Sequence, residues 1–238
     1  MKNRITVLIV VATILLSAGC SGGRSEYRRL VALEQVLEQN PDSVRSVLYA
    51  MPTPKKERSK ALYTVLKTQA DYKCYEPLES DSLMLEATAY YGTGKKDYYA
   101  ALAYYTLGCV YDEKGNDIAA LEAYLKAKDL FPDTLIRYYA LTECLLGLKY
   151  VNSNAYDYAE NHLLCAMNNA DRLNDVHTYC ISRYNYALCL LHRRDFETAE
   201  QYFLEFLDNE AYYEYYRINP LLQLAKIYYI HYKDYDKS

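Results

Sequence analysis

The side chains best suited to catalysis or metal binding are the histidines and cysteines, and their spacing predicts neither role. The histidines are His162, His177, His192 and His231, and no two of them form a His-Glu-x-x-His helix. No two cysteines have the Cys-x-x-Cys spacing of a zinc site. The chain also lacks a glycine-rich phosphate loop and a Gly-x-Ser-x-Gly elbow. We therefore expect a protein that is not an enzyme, with no catalytic residue, no metal and no cofactor.

Cys20 is the one cysteine whose surroundings predict a chemical modification. Lys2 and Arg4 precede an apolar run over residues 5–16, and three small residues follow before Cys20. A basic start, a short apolar run and small residues are typical of a secretory signal peptide. The apolar run is too short for a comfortable transmembrane helix. The sequence therefore predicts export.

Small residues directly before a cysteine resemble the lipobox of bacterial lipoproteins. In that family the cysteine thiol is acylated and the chain is cut just before it; here Leu16 lies one place further from Cys20 than the usual leucine. The resemblance implies a signal peptide over 1–19, lipidation of Cys20 and a flexible lipidated tether over 20–26. It also implies a lipid-anchored protein of the bacterial cell envelope, at the outer membrane facing the periplasm.

Six cysteines remain after Cys20, and we interpret them as small buried hydrophobic residues in helix interfaces. They are Cys74, Cys109, Cys144, Cys165, Cys180 and Cys189. An oxidising compartment permits disulfides. Cys109 and Cys144 are the pair that the repeat register described below brings closest, so a bridge between these two stays open as a hypothesis.

Residues 104–132 contain a ten-position pattern of a helical hairpin. In the first helix, Gly108 leaves room for a second helix to cross closely, and Gly115 ends that first helix. Pro132 stops the second helix. The full set is Tyr104, Leu107, Gly108, Tyr111, Gly115, Ala120, Tyr124, Ala127, Leu130 and Pro132. These residues, at this spacing, resemble one unit of the tetratricopeptide repeat (TPR) family.

The TPR resemblance implies an all-α fold, a right-handed superhelix of antiparallel helix pairs. The clear copy spans 101–134, and weaker copies are expected at 135–175, with Leu146 and Gly147, and at 176–210. An incomplete copy follows at 218–238, where we expect the natural array to continue in a longer chain. Degenerate TPR-like hairpins are expected over 27–100, before the array at 101–238. Their expected apolar stripes are Leu30, Leu33, Val36 and Leu37; Val44, Val47 and Leu48; Leu62, Leu66 and Ala70; and Leu83, Ala87 and Tyr90.

In the TPR family, ligands usually lie in a concave groove lined by the first helices of successive units. Transferred in register, the groove positions here are Leu102, Tyr105, Cys109, Asp112, Glu113, Leu141, Cys144, Leu148, Asn152, Ile181, Tyr184, Leu188, His192, Leu222, Lys226 and Tyr229. This mostly apolar and aromatic lining suits an amphipathic helix or peptide of another protein. The alternative is a tight superhelix in which these residues pack on one another.

Charge and composition favour protein binding over nucleic-acid binding. The formal net charge of −4 falls to −6 once residues 1–19 are removed, and a nucleic-acid surface needs a basic stripe. We therefore expect a non-catalytic, membrane-anchored TPR scaffold that mediates protein–protein interaction. Two alternatives remain: a nutrient (glycan)-binding lipoprotein of SusD-like type, and the sensor part of a longer signalling protein.

Overall fold

The computed structural model describes residues 23–78, 81–92, 95–208 and 218–232, and this part of the chain is all-helical. Its helices are α1 (Gly23–Leu37), α2 (Pro41–Ala50), α3 (Glu57–Lys73), α4 (Ser82–Tyr91), α5 (Tyr98–Glu113), α6 (Asp117–Leu130), α7 (Arg137–Asn152), α8 (Tyr156–Arg172), α9 (Val176–His192), α10 (Phe196–Asp208) and α11 (Ile218–Ile227). A π-helical turn, Tyr228–Tyr232, follows α11. The all-α class predicted from the sequence is confirmed within these residues.

The expected signal peptide and Cys20 lie outside the described residues. The expected tether at 20–26 is corrected where the structure describes it, because α1 already begins at Gly23. Glu26 lies in the first turn of α1, where a carboxylate interacts favourably with the positive end of the helix dipole. No helix in the described ranges is both long and apolar enough to cross a bilayer.

A three-residue turn of one geometry joins α5 to α6, α7 to α8, α8 to α9 and α9 to α10. Its middle residue is Gly115, Asn154, Asn174 or Arg194, each with a positive φ between 54° and 68°. In the last of these turns, the amide of Asp195 donates to the carbonyl of Leu190 at 3.0 Å, as in a Schellman cap. The Asp195 carboxylate then accepts from the amide of Thr198 at 3.3 Å and caps the next helix.

Such short turns allow little separation between consecutive helices, so each pair packs antiparallel. The chain divides into two compact units, Met1–Ala123 and Tyr124–Ser238, and the boundary falls within α6. In the first unit, α3 contacts α1, α2, α4 and α5. In the second unit, α7 contacts α8 and α9, α9 contacts α8 and α10, and α10 contacts α11. Helices α1, α3 and α7 therefore each pack on the next helix and on the one after it.

The core of the first unit confirms most of the apolar stripes read from the sequence. Its buried members come from α1, α2 and α3, and they are Leu30, Leu33, Leu37, Val44, Val47, Leu48, Leu62, Tyr63, Leu66 and Ala70. The stripe on α4 is corrected: Met84 and Ala87 are buried, whereas Leu83 and Tyr90 are exposed. The buried face of α4 is therefore rotated by about one residue from the expected one.

In the second unit, Gly147 on α7 carries out the role that the repeat pattern assigns to a glycine. A Cβ at this position would lie 2.5 Å from Cγ and 2.6 Å from Cδ2 of Leu163 on α8. Leu163 is fully buried beside Ala159 and Cys189. The absence of a side chain at Gly147 therefore allows α7 and α8 to approach closely, as expected from the repeat pattern.

Candidate functional site

On α5, the structure buries most of the groove positions. Leu102, Tyr105 and Cys109 are buried, Asp112 is half-buried and only Glu113 is exposed. A partner protein could touch little of this face. The first clear repeat therefore offers no open apolar groove at these positions.

The preceding first helix, α3, explains this burial. The side-chain amide of Gln69 on α3 donates to the hydroxyl of Thr106 on α5 at 2.9 Å, and both groups are buried. The thiol of Cys109, then burial and then the carboxylates of Glu113 and Asp112 raise the pKa of Tyr72 on α3. The groove positions of α5 thus face α3.

On α7, the groove positions are more accessible. Cys144 is buried, Leu141 and Leu148 are half-buried, and Asn152 is exposed. Burial raises the pKa of the Cys144 thiol to about 12, and this thiol interacts with Ser182 on α9. Cys144 therefore belongs to the interface between the first helices α7 and α9.

On α9, Tyr184 is a core residue. Its ring packs edge-on against Phe203 and Phe206 of α10, with centroids 5.7 Å and 6.1 Å away. Gln223 of α11 donates a long hydrogen bond, 3.4 Å, to the Tyr184 hydroxyl. Tyr184 therefore joins α9, α10 and α11 and does not provide a binding surface.

The remaining groove positions of α9 stay accessible. Ile181 and Leu188 are half-buried, and His192 is exposed at the end of the helix. The His192 ring stacks on Tyr156 of α8 at 4.6 Å between centroids. The last groove positions, on α11 and the π-helical turn, are exposed: Leu222, Lys226 and Tyr229.

The expected groove is therefore corrected, because the structure makes five of its positions inaccessible. These are Leu102, Tyr105, Cys109, Cys144 and Tyr184, which lie in helix interfaces. The repeat pattern identifies one face of each first helix, but it does not say how closely successive first helices approach. Besides the exposed positions on α11 and the π-helical turn, the second unit keeps four half-buried aliphatic positions on the contacting helices α7 and α9. We call them the aliphatic stripe: Leu141, Leu148, Ile181 and Leu188, followed further along the two helices by exposed Asn152 and His192.

A buried acid–histidine pair joins α7 to α8, and sequence reasoning missed it. Nδ1 of His162 lies 2.5 Å from Oε2 of Glu143, and both side chains are largely buried. The His162 ring also stacks on Tyr150 with centroids 5.3 Å apart. The two residues are 19 positions apart on different helices, so no local motif signals their contact.

Near this pair, Cys165 does not have the environment of a catalytic nucleophile. Burial and the Glu143 carboxylate raise the pKa of Cys165, which keeps the thiol protonated at neutral pH. Its sulfur lies 3.9 Å from the Tyr139 hydroxyl and 3.4 Å from the Asn169 amide. The arrangement is that of a packed polar interface between α7 and α8.

The described residues contain no cluster of three or more His, Cys, Asp or Glu placed to hold a metal ion. All six cysteines from Cys74 to Cys189 are free thiols in the structure. The Cys109–Cys144 bridge that the register left open is therefore absent from it.

Comparison with known proteins gives a likeness of fold only. No protein-family model and no curated protein matches this chain. Among solved structures, the chain is similar to the crystal structure of BtubC (BKLC) from P. vanneervenii, with a TM-score of 0.58 and 16% sequence identity. The match covers 90% of this chain and 84% of BtubC. At this identity the similarity supports a shared all-helical fold.

Proposed function

We propose that this chain is a TPR-like, non-catalytic scaffold that binds another protein through the first helices of its repeats. The observation that carries the proposal is the order of contacts, in which first helices pack on their own second helix and on the next first helix. A recurring three-residue turn and the close approach at Gly147 support a TPR-like arrangement of hairpins within each unit.

The partner we infer is an amphipathic helix or peptide that lies along the aliphatic stripe on α7 and α9. The stripe is apolar at Leu141, Leu148, Ile181 and Leu188, which are half-buried, and polar at its far end, where Asn152 and His192 are exposed. An amphipathic helix presents an apolar stripe beside polar residues, so its apolar face suits these four aliphatic positions.

Charge substitutions on the stripe test this proposal. Leu148→Glu and Ile181→Glu would each place a charge on the aliphatic stripe, so we expect partner recovery from envelope extracts to fall strongly. Leu164→Glu is the matched control, because Leu164 on α8 is 40% exposed and lies outside the groove positions. Circular dichroism must show that each variant stays folded. Equal recovery by folded stripe variants and the control would refute the proposed surface.

We further propose that the chain is anchored at the outer membrane, facing the periplasm, through acylated Cys20. The sequence before Cys20 supports this proposal. A clickable fatty acid fed to cells that express the chain should label the wild type but not Cys20→Ala. Equal labelling of the two proteins would refute the anchor while leaving the proposed binding surface intact.

A further inference from the structure

A cleft of about 590 Å³ opens in the first unit, away from the groove positions. Four segments contribute to it: α1, α3, the end of α4, and the connection into α5 with the start of that helix. The lining residues are Tyr27, Arg58, Tyr90, Tyr91, Lys95, Asp97 and Tyr99. Its volume falls in the range of clefts that hold small organic ligands.

Aromatic rings supply most of the cleft wall. Tyr27 and Tyr99 meet edge to face at 6.3 Å, and Tyr90 and Tyr91 do so at 5.2 Å. Tyr90 is 45% exposed, so part of its ring is accessible to a ligand. The wall therefore offers aromatic surface against which a flat molecule can stack.

One polar atom in this wall, the Tyr91 hydroxyl, makes no hydrogen bond within the described part of the chain. This hydroxyl is buried. Burial, followed by the proximity of Tyr27 and Asp97, raises the pKa of Tyr91, so the hydroxyl remains a donor at neutral pH. Buried polar groups are rarely left unsatisfied, which makes this atom a candidate ligand contact.

The side chains that line the cleft carry more positive than negative charge, which favours an anionic ligand. Arg58 lies over the Tyr27 ring at 4.0 Å, and neither Arg58 nor Lys95 pairs with a carboxylate of the described residues. The one acidic lining residue, Asp97, already caps α5 by accepting from the amide of Ala100 at 2.9 Å. Two cations that have no carboxylate partner within the described ranges thus face a cleft in a chain whose formal net charge is −4.

We propose that this cleft binds a small ligand in which a carboxylate is carried by a ring with an apolar face. The ring stacks on the tyrosines, and the carboxylate accepts hydrogen bonds from Arg58, Lys95 and the Tyr91 hydroxyl. Hydrogen bonds between charged groups are about twice as strong as those between neutral groups, so we expect the carboxylate to contribute most to selectivity. Either a sugar acid or an aromatic acid has this chemistry.

Isothermal titration calorimetry of the full chain with two matched pairs of probes tests the proposal and distinguishes a sugar acid from an aromatic acid. The pairs are glucuronate against glucose, and phenylacetate against 2-phenylethanol. We expect the acid of at least one pair to bind at least tenfold more tightly than its neutral counterpart. The pair that shows this difference identifies the source of the ligand. If neither acid binds better than its neutral counterpart, the proposal is wrong.

Variants locate the binding in the cleft. Arg58→Gln combined with Lys95→Gln should weaken binding of the acid at least tenfold, and Tyr91→Phe should weaken it several-fold without lowering the melting temperature. Lys55→Gln is the matched control, since it removes one positive charge from an exposed residue of the same unit that does not line the cleft. If Arg58→Gln disturbs folding, Lys95→Gln alone carries the test. Unchanged affinity in the folded cation variants would overturn the assignment.

Discussion

Replacing Gly147 with alanine tests the close approach of α7 and α8 directly. The new Cβ would lie 2.5 Å from Cγ of Leu163, about an ångström closer than ordinary van der Waals contact. Leu163 is fully buried, with Tyr150, Val151 and Tyr156 packed around its cluster, so it has little room to move. Overpacking of this kind costs about 2–3 kcal/mol. Removing a glycine from a helix interior returns about 1 kcal/mol.

We therefore expect Gly147→Ala to lower the free energy of unfolding by about 1–2 kcal/mol. Urea denaturation followed by circular dichroism at 222 nm measures this quantity. Leu163→Ala alone should cost about 2–5 kcal/mol because it leaves a cavity. In the double variant the new methyl group would occupy part of that cavity, so its loss should be smaller than the sum of the two single losses.

The outcome that refutes this reasoning is equally specific. If Gly147→Ala is as stable as the wild type or more so, the helix-propensity gain has outweighed any clash. If the two substitutions are also additive, Gly147 and Leu163 do not compete for the same space. Either result would remove the main structural support for a TPR-like hairpin formed by α7 and α8.

Three further predictions follow from the turns and the buried thiols. Arg194→Gly should raise the free energy of unfolding in urea by about 0.5–1 kcal/mol, because Arg194 has φ +64°, which is unfavourable for a residue with a side chain. Gly115→Ala should lower the free energy of unfolding, because Gly115 has φ +68°, although the new Cβ would contact no other atom. Burial raises the pKa of Cys144 to about 12 and that of Cys180 to about 11. These thiols therefore ionise at a lower pH in the unfolded chain than in the folded protein. The contribution of these thiols to the free energy of unfolding should be fully present below about pH 9 and should be lost as the pH rises through 11. Cys144→Ala should make the corresponding fall in the urea midpoint shallower. A midpoint that does not depend on pH would contradict this. In the native protein, mass spectrometry after alkylation should show Cys74, which is half-buried, modified well before buried Cys144, and the reverse order would contradict the described packing.

Local pattern was sufficient to predict the helices and several of their ends. Gly115 was expected to end the first helix of the clear copy, and it lies in the turn between α5 and α6 with φ +68°. Leu146 and Gly147 were expected in the second copy, and Gly147 lies directly against Leu163 of α8. These features depend on backbone conformation and on helical periodicity, both of which are encoded within a few consecutive residues.

Accessibility at the groove positions could not be predicted in this way. Tyr184 and Leu188 both occupy groove positions on α9, yet Tyr184 is in the core with Phe203 and Leu188 is half-buried. Periodicity gives the direction in which a side chain leaves its helix. The distance to the neighbouring helix depends on the volumes of side chains on both helices, which lie far apart in the sequence.

The tertiary structure alone decided which distant residues meet. Glu143 and His162 form a buried pair across two helices, and Tyr27, Arg58 and Tyr91 line one cleft although they come from three different helices. The sequence by itself determined an all-helical chain, its tight turns and the small residue at the α7–α8 crossing, because each of these is a local property of the backbone. Contacts between helices are set by the packing of many side chains at once, so only the folded structure brings these chemically useful groups together.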